Sequence, residues 1–79
     1  MIESSKQMLE QHDIILHQRQ TMHINGVSDI YSFDENAILL STRCGTMSIE
    51  GESLHISKLS LESGEIDISG NIVALFYHD

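Results

Sequence analysis

The chain has 79 residues, with twelve acidic and four basic side chains and a formal charge of −8. That length holds one small domain, which buries only about 60% of the surface its unfolded chain exposes. So few basic residues exclude a phosphate-gripping nucleic-acid binder, which needs a basic face, and argue against docking on an anionic membrane.

Residues 1–18 hold no glycine and show no clean period. Ser4 followed by Gln7 has the form of a capping box before Met8 and Leu9. This segment is expected to be a flexible tail or one short helix. The alternative is a first strand at Ile14-Ile15-Leu16, since three successive apolar residues rarely sit loose in solvent. Residues 19–79 read as a single β domain.

From Gln20 onward the period is two. Met22 and Ile24 alternate with Thr21 and His23, and Met47 and Ile49 alternate with Thr46, Ser48 and Glu50. Leu54 and Ile56, Leu59 and Leu61, then Ile66 and Ile68 continue the pattern. Such alternation marks strands with one buried and one wet face. Asn25-Gly26 lies between two alternating runs and predicts a two-residue type I′ hairpin, because both positions tolerate φ > 0. Asp34-Glu35-Asn36 reads as a turn with Asn36 suited to the left-handed position. Gly45, Gly51, Gly64 and Gly70 each fall between runs and read as tight turns. No proline bars any run from pairing on both sides. The expectation is all-β: a small antiparallel sandwich or roll of about seven or eight short strands.

Met22-His23-Ile24-Asn25-Gly26, Met47-Ser48-Ile49-Glu50-Gly51 and Ile66-Asp67-Ile68-Ser69-Gly70 share the form apolar-x-Ile-x-Gly. Their unequal spacing argues against a solenoid and for reuse of one strand-and-turn solution. Two runs break the alternation. Ala37-Ile38-Leu39-Leu40 and Ile72-Val73-Ala74-Leu75-Phe76-Tyr77 are apolar on both faces, as in strands buried on both sides. So short a chain has little material for a second cover. A second copy is therefore expected on the final strand, with Ile72, Val73, Leu75, Phe76 and Tyr77 as candidate self-association residues. The competing arrangement folds the segment around Ile14-Ile15-Leu16 back over that face. Ile72 to Tyr77 is also the longest apolar run, too short for a bilayer-spanning helix, and no signal peptide is recognisable.

The sequence offers little chemistry. His12, His17, His23, His55 and His78 include no His-x-x-x-His pair, and a lone cysteine, Cys44, allows neither a Cys-x-x-Cys motif nor an internal disulfide. His23 and His55 fall at polar positions of their strands. Arg43 beside Cys44 would favour a thiolate, but no base can be assigned to it. Asp34-Glu35 and Glu50-Gly51-Glu52 do not resemble a calcium loop. The expectation is a non-enzymatic protein without catalytic residue, metal or cofactor. A small-ligand or metal-binding β domain is the alternative.

The ordered pattern of turns and strands resembles the YabP/YqfC family of sporulation proteins. Arg19-Gln20-Thr21-Met22-His23-Ile24-Asn25-Gly26-Val27 with Ser32-Phe33-Asp34 resembles the family's opening. Thr42-Arg43-Cys44-Gly45-Thr46-Met47-Ser48-Ile49-Glu50-Gly51 and Leu54-His55-Ile56-Ser57-Lys58-Leu59 continue it. Gly64-Glu65-Ile66-Asp67-Ile68-Ser69-Gly70 and Leu75-Phe76-Tyr77-His78-Asp79 resemble its close. Gly26-Val27 and Ser32-Phe33-Asp34 place the likeness nearest the YabP branch. The resemblance implies an immunoglobulin-like sandwich and a part in spore development or the spore envelope. The two-faced strands and the lack of a site favour an assembly module that binds itself or other sporulation proteins, in the cytoplasm of the sporulating cell or at the developing spore surface. The resemblance brings no catalytic residue or cofactor. Family members often carry a polar tail beyond the Tyr-x-Asp at which this chain stops.

Overall fold

A computed structural model describes residues 11–78. The expected capping box at Ser4 and Gln7 lies outside the described residues. Six strands form: β1 (Ile14–His17), β2 (Thr21–Ile24), β3 (Val27–Phe33), β4 (Ala37–Thr42), β5 (Gly45–Ser60) and β6 (Glu65–His78). All pairings are antiparallel, in one sheet of order β1-β2-β6-β5-β4-β3. The all-β expectation holds. Six strands replace the expected seven or eight because β5 and β6 run straight through glycines read as turns.

The chain path shows that this sheet is curled. β2 and β3 lie four strand spacings apart in the sheet order, which would be about 19 Å in a flat sheet. Yet only Asn25 and Gly26 connect them, and three residue steps reach at most about 11 Å. The ends of the sheet must therefore approach one another. A hydrogen bond across the gap records this: the Val27 N–H donates to the Gly64 carbonyl at 2.9 Å. Curling lets the sheet cover its own inner face. That face buries Met22, Ile24, Val27, Ile38, Leu40, Met47, Ile49, Leu54, Ile66, Ile68 and Ile72. These are mostly the positions that alternation selects. Leu59 and Leu61 are not buried; Leu59 lies where β5 has no strand on its far side, and Leu61 lies in the β5–β6 turn.

Asn25-Gly26 is not a hairpin, since β2 and β3 do not pair with each other. Gly26 does take a left-handed φ of 74°, but Asn25 does not, so no type I′ turn forms. Asp34, Glu35 and Asn36 do connect the β3–β4 hairpin, where Asp34 Oδ1 accepts from the N–H of Asn36 at 2.7 Å and of Ala37 at 2.9 Å. Asn36 is not left-handed. Arg43 and Cys44 form the β4–β5 turn, and Gly45 opens β5 rather than turning it. Gly64 closes the β5–β6 turn. Gly51 and Gly70 lie inside strands, where β5 and β6 bend across each other. A Cβ on Gly51 would run into the Asn71 carbonyl oxygen, and one on Gly70 would stand 2.6 Å from that of Ser53. Close backbone approach, not a turn, demands Gly51, and at Gly70 a φ of 134° adds to it.

Candidate functional site

Three groups of side chains stand out. The first ties residues 11–13 to the sheet. Asp13 and Asn25 exchange bonds: the Asp13 N–H donates to Asn25 Oδ1 at 2.6 Å, and the Asn25 N–H donates to the Asp13 carbonyl at 3.0 Å. His12 Nδ1 lies 2.7 Å from the Asn25 carbonyl and Nε2 lies 2.6 Å from the Tyr77 hydroxyl. A carbonyl only accepts, so in the neutral ring Nδ1–H donates to it and Nε2 accepts from the Tyr77 O–H. The rings meet edge to face at 5.8 Å. Burial, with a charged Cys44 adding, pushes the Tyr77 phenol above its ordinary pKa. Asn25 thus acts as an anchor for the preceding segment.

The second group lies on the outer face of the β1-β2-β6 end. His23 Nδ1 and Asp67 Oδ1 pair at 2.5 Å, both side chains partly exposed. They are cross-strand neighbours on β2 and β6. Ile15, His17, Thr21, Ser57 and Ser69 surround them in a shallow cavity of about 280 Å³. Sequence reading put His23 on the polar side of its strand but did not find Asp67, because register between distant strands is not visible in local alternation. Hydroxyls and an imidazole can hold a small polar ligand there. Among the described residues, no group of three or more His, Cys, Asp or Glu side chains could hold a metal ion. Cys44 is exposed with its thiol free.

The third group is the last strand. β2 pairs β6 only as far as Ser69. Beyond it, Ile72 donates its N–H to the Arg19 carbonyl at 2.8 Å and accepts from Arg19 Nε at 3.1 Å. After Ile72, β6 has β5 on one side and no strand on the other among the described residues. The five candidate self-association residues divide. Ile72 is 2% exposed and Leu75 packs against the core, so neither side chain is available. Val73, Phe76 and Tyr77 are 55%, 41% and 46% exposed.

A register shift at Val73 explains the division, because Gly51 pairs Ile72 while Glu50 pairs Ala74. The extra residue reverses the parity that simple alternation assigns. Leu75 and Tyr77 come to lie opposite the buried Ile49 and Met47, while Phe76 lies opposite Ser48 on the outer face. The segment around Ile14-Ile15-Leu16 instead forms strand β1, the alternative its apolar run offered, which pairs with β2 two places from β6 in the sheet.

Comparison with known proteins adds two findings. The family model described as "YabP family" matches residues 8–79. The "Spore protein YabP" of Bacillus subtilis (strain 168) is 36% identical over 75 residues, covering 95% of this chain and 75% of that protein.

Proposed function

The chain belongs to the YabP family, and from that premise we propose that it is a non-enzymatic sporulation protein that works by association. It joins copies of itself or other sporulation proteins in forming the spore and its envelope. It does so in the cytoplasm of the sporulating cell, against the developing spore surface. The name of the Bacillus subtilis relative supports the sporulation role. The observation that supports association is the side of residues 73–78 left open among the described residues, which carries exposed Val73, Phe76 and Tyr77 and no charged side chain. No helix among the described residues is long and apolar enough to cross a membrane.

The test is co-purification of the tagged chain from sporulating Bacillus subtilis, run beside a Val73→Lys/Phe76→Lys variant. Recovery of sporulation proteins with the wild type and their loss with the variant is the expected result. Equal recovery with both would refute the role of this strand. A second reading, a small-ligand-binding domain, is favoured by the His23–Asp67 cavity. Its signature is a ligand-dependent rise in melting temperature that His23→Ala abolishes.

A further inference from the structure

We propose that two copies of this chain pair antiparallel through residues 74–78, about a two-fold axis at Phe76, joining their sheets edge to edge. This rests on the association reading above and commits it to a partner and a register.

Backbone direction sets the register. The Gly51 N–H donates toward the β4 side, to the Asn36 carbonyl at 3.0 Å. Backbone groups alternate sides along a strand, so Glu50, Ser48 and Thr46 point theirs at β6. Their partners Ala74, Phe76 and His78 are engaged in that ladder. Leu75 and Tyr77 therefore aim their N–H and C=O groups at the open side. An axis at Phe76 places Leu75 of each copy opposite Tyr77 of the other, so both outward-facing residues of both copies are bonded. The exposed Phe76 rings then meet across the axis as a cross-strand aromatic pair.

The neutrality of this edge suits a second copy as the occupant. Copies of a chain with a net charge of −8 repel. The other open edges discourage pairing in familiar ways. β1 has four residues. β3 carries Asp29 and two register shifts. The far half of β5 carries Lys58 beside a register shift. Residues 74–78, which face each other at this register, have no Asp, Glu, Lys or Arg.

The test combines sedimentation across a concentration series with disulfide trapping. Wild type should sediment as a concentration-dependent dimer, and Phe76→Lys should be monomeric with an unchanged circular dichroism spectrum. In a Cys44→Ser background, Phe76→Cys should oxidise to a covalent dimer. Residues opposed in a non-hydrogen-bonded pair stand about 4.5 Å apart at Cα, within disulfide range. Ser32→Cys, on β3, should not. Wild type that stays monomeric overturns the inference, as it would if residues 1–10 of the same chain or a different protein filled the edge; co-purification then judges association separately. A dimer that survives Phe76→Lys also overturns it, while leaving association in place. Should Phe76→Lys fail to fold, absence of the Phe76→Cys cross-link is the refuting result.

Discussion

Replacing Gly26 by valine tests whether the Asn25-Gly26 connection is the corner that closes the curled sheet. Two penalties act at this position. The backbone sits at φ 74°, a conformation that costs a β-branched residue about 1–3 kcal/mol. A Cβ would also press on the Gln11 carbonyl oxygen and stand 2.8 Å from His12 Cα. Those atoms are backbone, so relief requires lifting residues 11–13 off the sheet. That would break the bonds of Asn25 to Asp13 and His12, each worth about 1 kcal/mol net and less where water can replace it. The sum is about 2–5 kcal/mol. For a domain of this size each kcal/mol moves the melting temperature by about 4–8 °C, so Gly26→Val should melt at least about 8 °C below wild type. Gly26→Asn separates the two penalties, because asparagine tolerates the left-handed backbone but keeps its Cβ. Thermal melts followed by circular dichroism should rank glycine above asparagine above valine. A valine variant melting within about 2 °C of wild type would refute the corner. Asparagine equal to glycine would refute the close approach of residues 11–13.

Four other outcomes follow from the same geometry. Gly51→Ala involves no left-handed backbone but collides with the Asn71 carbonyl, so it should lower the melting temperature by several degrees; a neutral result would deny that β5 and β6 cross there. The raised Tyr77 pKa means the folded state holds the phenol proton more tightly than the unfolded chain. Its stabilising effect is complete below the unfolded value near 10 and fades as pH rises through the folded one. Tyrosinate absorbance should accordingly show a late alkaline step that Tyr77→Phe removes. Asp67→Asn breaks a half-exposed pair worth at most about 1 kcal/mol, so a melting shift of more than about 8 °C would mean that pair is part of a larger network. Alkylating the exposed Cys44 or adding EDTA should leave melting and self-association unchanged, and a fall in either would bring thiol or metal chemistry back into consideration.

Most of the buried face was legible in the sequence because strand alternation is a local signal. Met22, Ile24, Met47, Ile49, Leu54, Ile66 and Ile68 are buried, as period two requires. Glycine was less legible, because one residue type serves two purposes. At Gly26 it allows a left-handed corner, at Gly51 it allows two strands to touch, and at Gly70 it does so with a φ of 134° inside a strand. No local pattern tells these uses apart. The same ambiguity hid the chain path: Asn25-Gly26 has the composition of a hairpin but joins strands that never pair. Among the site residues, Phe76 and Val73 were found exposed, whereas Ile72 and Leu75 turned inward. The one-residue shift at Val73 decides that, and it depends on β5. His23 with Asp67, and His12 with Tyr77, join residues 44 and 65 positions apart, beyond the reach of any motif.

The two bent strands explain why an edge is left open at all. Because β5 and β6 are long and cross, each changes neighbours along its length. β2 flanks the first part of β6 and β4 flanks the first part of β5. Among the described residues, each long strand therefore ends in a half that has only the other for company, so the curl that buries the core also leaves two half-strands open on one side. In β5 that half carries Glu52 and Lys58, and Leu54 is its only fully buried apolar side chain. In β6 it is uncharged and apolar along most of its length. Solubility alone would favour a lysine or glutamate at an exposed position such as Val73 or Phe76. Exposed apolar side chains on an unguarded strand edge are instead what sheet pairing between molecules requires. If Val73→Lys and Phe76→Lys fold as well as wild type, stability does not require the apolar residues there, and the need must lie outside the monomer.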